Sequence, residues 1–196
     1  MTARVLIAAA FFLSGAAGLI DQVCWQYLLS IETGADAESL TVIVTTFMLG
    51  LGVGAVVGGH LVDRLPGQAI ALFCIFECVI GFFGLFSVEW ILHLDPWLST
   101  LPGYGVALLS FFALLLPTVL MGATLPILVT WLSRLTGHVG NSTGFLYFAN
   151  TAGATLGAGA SGLVMLHWFD ISQSLALAST LNFSAAAVGW LAARRQ

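Results

Sequence analysis

Six long apolar stretches, separated by short polar breaks, organise this chain of 196 residues. They run over residues 5–31, 39–62, 68–92, 103–133, 142–168 and 172–193. Each could span a bilayer, whose hydrocarbon core takes about 20 mostly apolar residues in helical form. The breaks are Glu32 to Glu38, Asp63 to Gly67, His93 to Pro102, Arg134 to Asn141, and the turn at Asp170. Connections this short make consecutive helices antiparallel neighbours. The pattern predicts an all-α polytopic membrane protein, a single transmembrane domain of six helices over residues 1–196.

Composition supports this reading. Hydrophobic residues make up 59% of the chain and charged residues 7%, against about 25% charged in an ordinary soluble domain. A soluble fold of this size could not hide so much apolar surface in one core, so the lipid bilayer is the first expected partner. The first eighteen residues have the outline of a secretion signal, with Arg4, an apolar run and Ser14-Gly15-Ala16-Ala17. The apolar run continues past residue 20 and the chain begins at Met1, so this stretch is expected to remain as a span.

Charge then orients the bundle. Lysine is absent, and the five arginines fall before the first stretch (Arg4), after the second (Arg64), after the fourth (Arg134) and after the sixth (Arg194, Arg195). With antiparallel neighbours, all five lie on one face. The opposite face carries Glu32, Asp36, Glu38, Glu89, Asp95 and Asp170. The positive-inside rule makes the arginine face cytoplasmic. The expected location is the inner (cytoplasmic) membrane, multi-pass, with both termini in the cytoplasm. Lacking a basic patch, the chain is not expected to bind nucleic acid.

Small residues recur at helical spacing. Gly50, Gly54 and Gly58 form one ridge; Ala149, Gly153, Gly157 and Ser161 form another. Such ridges let backbones approach closely, and in lipid that packing drives helix association. They suit tight packing within the bundle, or a docking face for another subunit. Pro117 and Pro126 each remove a backbone donor and are expected to kink or break the fourth helix. The tryptophans fall mostly towards span ends, as in an aromatic belt, with Trp25 the deepest.

Candidate chemistry is confined to a few intramembrane polar groups, which are costly in lipid and so point to function by default. Glu77 lies about nine residues into the third stretch, ~14 Å along the axis at 1.5 Å per residue. Asp21 lies nearer the outer end of the first, within reach of water or His167. Gln22 and Gln26 share a face there, and Asn150 and Asn182 sit near mid-depth in the fifth and sixth. With no basic group at its depth, Glu77 is expected either as a neutral acid bonded to Asn150, Asn182 or a backbone carbonyl, or as a proton or cation site. Cys24, Cys74 and Cys78 lie within apolar runs and read as small hydrophobes rather than a disulfide framework. Cys74, Glu77 and Cys78 fall short of the converging ligand set a metal needs. Neither metal nor cofactor is expected, and no nucleophile–base arrangement for catalysis is evident.

Several segments resemble the membrane domain of spermidine synthase-like membrane proteins. They are Ser14-Gly15 through Gly18-Leu19-Ile20 to Trp25, Phe47-Met48-Leu49-Gly50-Leu51-Gly52-Val53-Gly54 running on to Arg64, Pro117 through Pro126, and Gly144 through Ala154. In that family such a bundle is often fused to a soluble domain resembling aminopropyltransferases. The stretch Gly59-His60-Leu61-Val62-Asp63-Arg64 also resembles the loop between the second and third helices of major facilitator transporters. The resemblance implies that Gly59, Asp63 and Arg64 fasten the cytoplasmic face, although Pro66 stands where that pattern has a second glycine. Six helices would equal one half of a major facilitator fold.

The chain ends at Gln196, straight after the sixth stretch, with no glycine-rich loop after a strand and no acidic pair placed to hold an amine substrate. It is therefore not expected to be an enzyme, and aminopropyl transfer is not expected of it. The favoured expectation is a non-catalytic membrane subunit, a scaffold or accessory bundle that packs against other membrane proteins or itself. The alternative is a transporter-like half that oligomerises to move a small cation or metabolite, with Glu77 and Asp21 as coupling acids.

Overall fold

The computed structural model describes residues 2–33, 36–65, 67–98 and 103–195. Pro66 and the side chains of Glu32, Asp36, Glu38, His93, Asp95 and Trp97, all singled out in the sequence, lie outside the described residues. Every regular element described is helical. The long helices are α1 (Ala3–Thr33), α2 (Asp36–Arg64), α3 (Ala69–Leu98), α4 (Gly103–Thr136), α5 (Val139–Ala160) and α7 (Ile171–Ala193). Between the last two, a π-helical turn (Ser161–Met165) leads into a single α-turn, α6 (Leu166–Trp168).

Among the described residues, five helices (α1, α2, α3, α4 and α7) are long and apolar enough to cross a membrane. The fifth expected span is the exception. Its α-helix ends at Ala160 and carries Asn141, Ser142, Thr143, Asn150, Thr151 and Thr155 among its glycines, which lowers its apolarity.

Helix ends follow local chemistry. Gly137, at φ 75°, takes the left-handed conformation that closes α4, and its N–H donates to the Ser133 carbonyl at 2.8 Å. Asp170 opens α7 with a reciprocal capping box. Its carboxylate accepts from the Gln173 N–H at 2.7 Å, and its own N–H donates to Gln173 Oε1 at 3.2 Å. The α4 helix runs unbroken through Pro117 and Pro126, contrary to the possibility of a break. Next to Pro117, the Thr118 hydroxyl donates to the Leu114 and Leu115 carbonyls of its own helix.

Contacts set the directions of the helices. Gly50 meets Thr118, and Gly58 meets Ala123, so α2 and α4 run parallel. Gly153 meets Phe12, and Gly157 meets Ala16, so α1 and α5 run parallel. Gly81 meets Phe183, and Gly189 meets Phe73, so α3 and α7 run antiparallel. This alternation brings all five arginines to one end of the bundle. There Arg4 lies 4.4 Å from the Phe145 ring centre, a cation–π contact.

Two apolar clusters fill the interior. The cluster towards the arginine end includes Ile7, Phe11, Val62, Phe73, Ile127, Leu132 and Leu146. The other, at the far end, includes Trp25, Leu28, Ile43, Phe47, Leu114 and Leu175. Large apolar side chains also cover the outside, among them Met48, Val56, Phe148 and Leu163.

Candidate functional site

Three helices converge on the candidate site, and one face of each is responsible. On α1 the buried positions Ala17, Asp21, Cys24 and Leu28 continue the line of Ser14 at the spacing of a single helical stripe. On α3, Phe73, Glu77, Ile80, Gly84 and Ser87 do the same, and on α7 the stripe is Ser174, Ala178, Asn182, Ala185 and Gly189.

The register is fixed by polar contacts. The Ser14 hydroxyl donates to Glu77 Oε1 at 2.7 Å. One interval up the same pair of helices, Trp25 Nε1 donates to Ser87 Oγ at 3.1 Å. A Cβ built on Gly84 would meet Ser179 Oγ at 2.9 Å and Asp21 Oδ1 at 3.4 Å, so the missing side chain makes room for the Asp21 carboxyl. Between α3 and α7, the Cys74 thiol donates to the Ala186 carbonyl at 3.2 Å. These pairings place Asn182 at a level between the two acids, with Ser174 beyond Asp21. Seven residues separate Ser14 from Asp21 along α1, so the acids stand ~10 Å apart along the axis.

Both acids are fully buried. Among the described residues, the buried side-chain atoms without a hydrogen-bond partner are Asp21 Oδ1 and Oδ2, Glu77 Oε2, Ser174 Oγ and Asn182 Nδ2. All five lie in this one seam. Asn182 faces Asp21 and Ser174 faces Cys24, but neither α7 group reaches hydrogen-bonding geometry. Leaving a buried polar atom unpaired costs about 1–3 kcal/mol, so five in one place mark a site that packing alone does not account for.

Beside the seam lies a cleft of about 300 Å³ between α1, α2, α4 and α5. Its polar lining comes from Ser14, Gln22, Thr124, Tyr147 and Asn150. Ser14 is thus shared, lining the cleft and bonding the buried Glu77.

The remaining residues singled out in the sequence are distributed as follows. Glu77 takes Ser14 as its partner, not Asn150 or Asn182. Asn150 instead donates its amide to the Phe11 carbonyl at 3.2 Å, tying α5 to α1. Gln22 is half-buried in the cleft wall, and Gln26 is half-buried one turn further on. Asp21 is sealed from the exposed His167, so the suggested pairing with it or with water near the outer end is not made. Asp63 and Arg64 are exposed at the end of α2, with Gly59 half-buried. Gly50, Gly54, Gly58, Gly153 and Gly157 pack inside the bundle, Gly54 against the Val119 carbonyl and Gly157 against that of Ala16. Sequence reasoning missed Ser14, Ser174 and Gly84. A small hydroxyl in an apolar stripe carries little signal until the facing helix is known.

The fold and seam define an all-helical bundle whose long helices suit a membrane. Its relatives point further. The chain is 27% identical over 191 residues to the polyamine aminopropyltransferase of Mycobacterium tuberculosis (strain H37Rv), a match covering 94% of this chain and 35% of that protein. The Mycobacterium bovis polyamine aminopropyltransferase matches to the same extent. Polyamine aminopropyltransferase 1 of Streptomyces coelicolor is 25% identical over 181 residues, covering 92% of this chain and 32% of that protein. The chain spans about a third of the length of the curated relatives it matches. No family model matches it, and no solved structure matches it significantly.

These relatives correct the expectation that the chain is not an enzyme, because they carry the name of one. The expectation rested on the lack of catalytic groups within 196 residues. Since the matched region is only a third of each relative, such groups in those proteins need not lie in it, and their lack here is no argument against the activity.

Proposed function

We propose that this chain is the membrane-embedded helical bundle of a polyamine aminopropyltransferase system. The observation that carries this reading is the match of over nine-tenths of the chain to proteins of that name. Five helices suited to a bilayer support the membrane setting. In this reading α5 is the sixth span. It packs along α1 through Gly153 and Gly157, and Asn150, a costly polar group at mid-depth, has its amide bonded to the Phe11 carbonyl. The arginine end faces the cytoplasm by the positive-inside rule, which puts both termini on the side where a soluble catalytic unit would work. The bundle's role is to hold aminopropyl transfer to a polyamine at the inner membrane, packing through its apolar outer faces against lipid and against another membrane subunit or a second copy.

The test is functional. The full chain, carrying an affinity tag, is captured from detergent-solubilised membranes of its own host, and the captured assembly is assayed for aminopropyl transfer to a polyamine. Activity that co-purifies with the chain, and is absent from a mock capture with an unrelated six-helix protein, is the expected result. A catalytically silent assembly, from membranes whose unfractionated extract is active, overturns the reading.

A second reading is favoured by the cleft beside Ser14. A bundle resembling half of a major facilitator fold, paired with a second copy, would move a small cation or metabolite past Glu77 and Asp21. Substrate-dependent flux in liposomes separates it from the first.

A further inference from the structure

We infer that Glu77, with Asp21 further along the same seam, forms a buried proton-binding site, connected to the cleft between α1, α2, α4 and α5 by the Ser14 hydroxyl. The inference is independent of both functional readings above, since it concerns what the seam binds and how a proton reaches it.

The choice of ligand follows from the unpaired atoms. A protonated Asp21 or Glu77 carboxyl both donates and accepts, Asn182 Nδ2 donates, and Ser174 Oγ can do either. A metal cation would pair with the oxygens and leave the amide nitrogen unsatisfied. A proton makes each carboxyl a donor as well as an acceptor, which suits both kinds of neighbour. Asn182 stands at a level between the two acids, which are ~10 Å apart along the axis. The Asp21 carboxyl and the Ser179 hydroxyl fill the space that a Cβ on Gly84 would need.

The surroundings favour neutral acids. From α1 the site is faced by the Cys24 thiol, from α3 by the flanking Cys74 and Cys78 thiols, and from α7 only by the neutral Ser174, Ser179 and Asn182. No arginine or histidine falls on the stretches of these helices that line the seam. An ionised carboxylate there would be buried with no counter-charge, so each acid is held best with its proton.

Ser14 supplies the route. It lines the cleft on one side and donates to Glu77 on the other, at 2.7 Å. A hydronium in the cleft gives its proton to Ser14 Oγ as the original hydroxyl proton of Ser14 moves to Glu77 Oε1. Water, neutral serine and a carboxylic acid remain.

Infrared spectroscopy of the purified full chain in lipid nanodiscs tests this. At neutral pH the wild type is expected to show carboxylic-acid C=O bands that shift on transfer to D₂O; one is lost in Glu77→Gln and another in Asp21→Asn. In Ser14→Ala the shift of the Glu77 band should slow by about tenfold, the rate equivalent of roughly one lost hydrogen bond. Ser14→Thr, which keeps the hydroxyl, should restore it. Ionised carboxylates only, or an unchanged exchange rate in Ser14→Ala, overturn the proposal. The Ser14 pair alters a single hydroxyl or methyl group, so the exchange test stands even where an acid variant fails to fold.

Discussion

The α2–α4 interface and the α1–α3–α7 seam solve the same packing problem in opposite ways. Between α2 and α4, Gly50, Gly54, Gly58 and Gly122 bring backbone against backbone, and a Cβ at any of them would strike the facing helix. The hydroxyl that approaches this contact, Thr118, bonds back to its own helix. In the seam, glycines admit side chains instead: the Phe183 ring at Gly81, the Phe73 ring at Gly189, and the Asp21 carboxyl at Gly84. One interface is closely fitted, backbone to backbone. The other encloses polar side chains, five of whose atoms are left unpaired among the described residues. Packing drives association in lipid, so the first interface is built for cohesion, and the second retains a polar site at an energetic cost.

Substitutions should separate these roles. The largest effect is expected from Gly54→Leu, whose side chain would land on the Val119 carbonyl and the Ala123 backbone. It should destabilise by more than the ~1–3 kcal/mol of ordinary overpacking, read as loss of a monodisperse peak in detergent. Gly52→Leu has open space around its Cβ and should behave as wild type; equal effects from the two would refute the close-contact account.

Trp25→Phe comes next. It removes the bond to Ser87, while Ser87 keeps its own bond to the Gly84 carbonyl at 2.8 Å. The expected cost is about 1–2 kcal/mol, measured by thermal denaturation in detergent. A comparable but separate loss, about 1 kcal/mol, is expected from Asp170→Ala through the broken capping box. It should add to the Trp25 effect without coupling, because the cap lies outside the polar seam.

The smallest effect is predicted for Glu77→Gln, which keeps size and an oxygen for Ser14. Its stability should stay within about 1 kcal/mol of wild type. Loss of several kcal/mol would mean that the seam is as structural as the glycine ridge, and the contrast between the two interfaces would collapse.

Much of this was legible in the residues themselves. Helical character followed from unbroken apolar runs, and the glycine spacing in α2 announced a close approach. The burial of Glu77 was foreseeable from its depth in such a run, whereas Asp21 was expected within reach of water or His167 and is sealed instead. Their partners were not foreseeable. Ser14 resembles any small residue in an apolar stripe, and its pairing with Glu77 spans 63 residues, a separation no local pattern encodes. The fifth stretch was also ambiguous, since hydropathy counts the polar groups of α5 without showing that the Asn150 amide is tied to α1.

Sequence alone determined which segments become helices, because apolar length and local capping act within a few turns of the chain. It also put all the arginines at alternate helix ends, which short connections turn into one face. Only the tertiary structure decided which stripes face one another. That choice rests on the shape of whole helix surfaces, where a glycine opens room for a backbone in one place and for a carboxyl in another. It turned two scattered acids, a serine and an asparagine into one enclosed site.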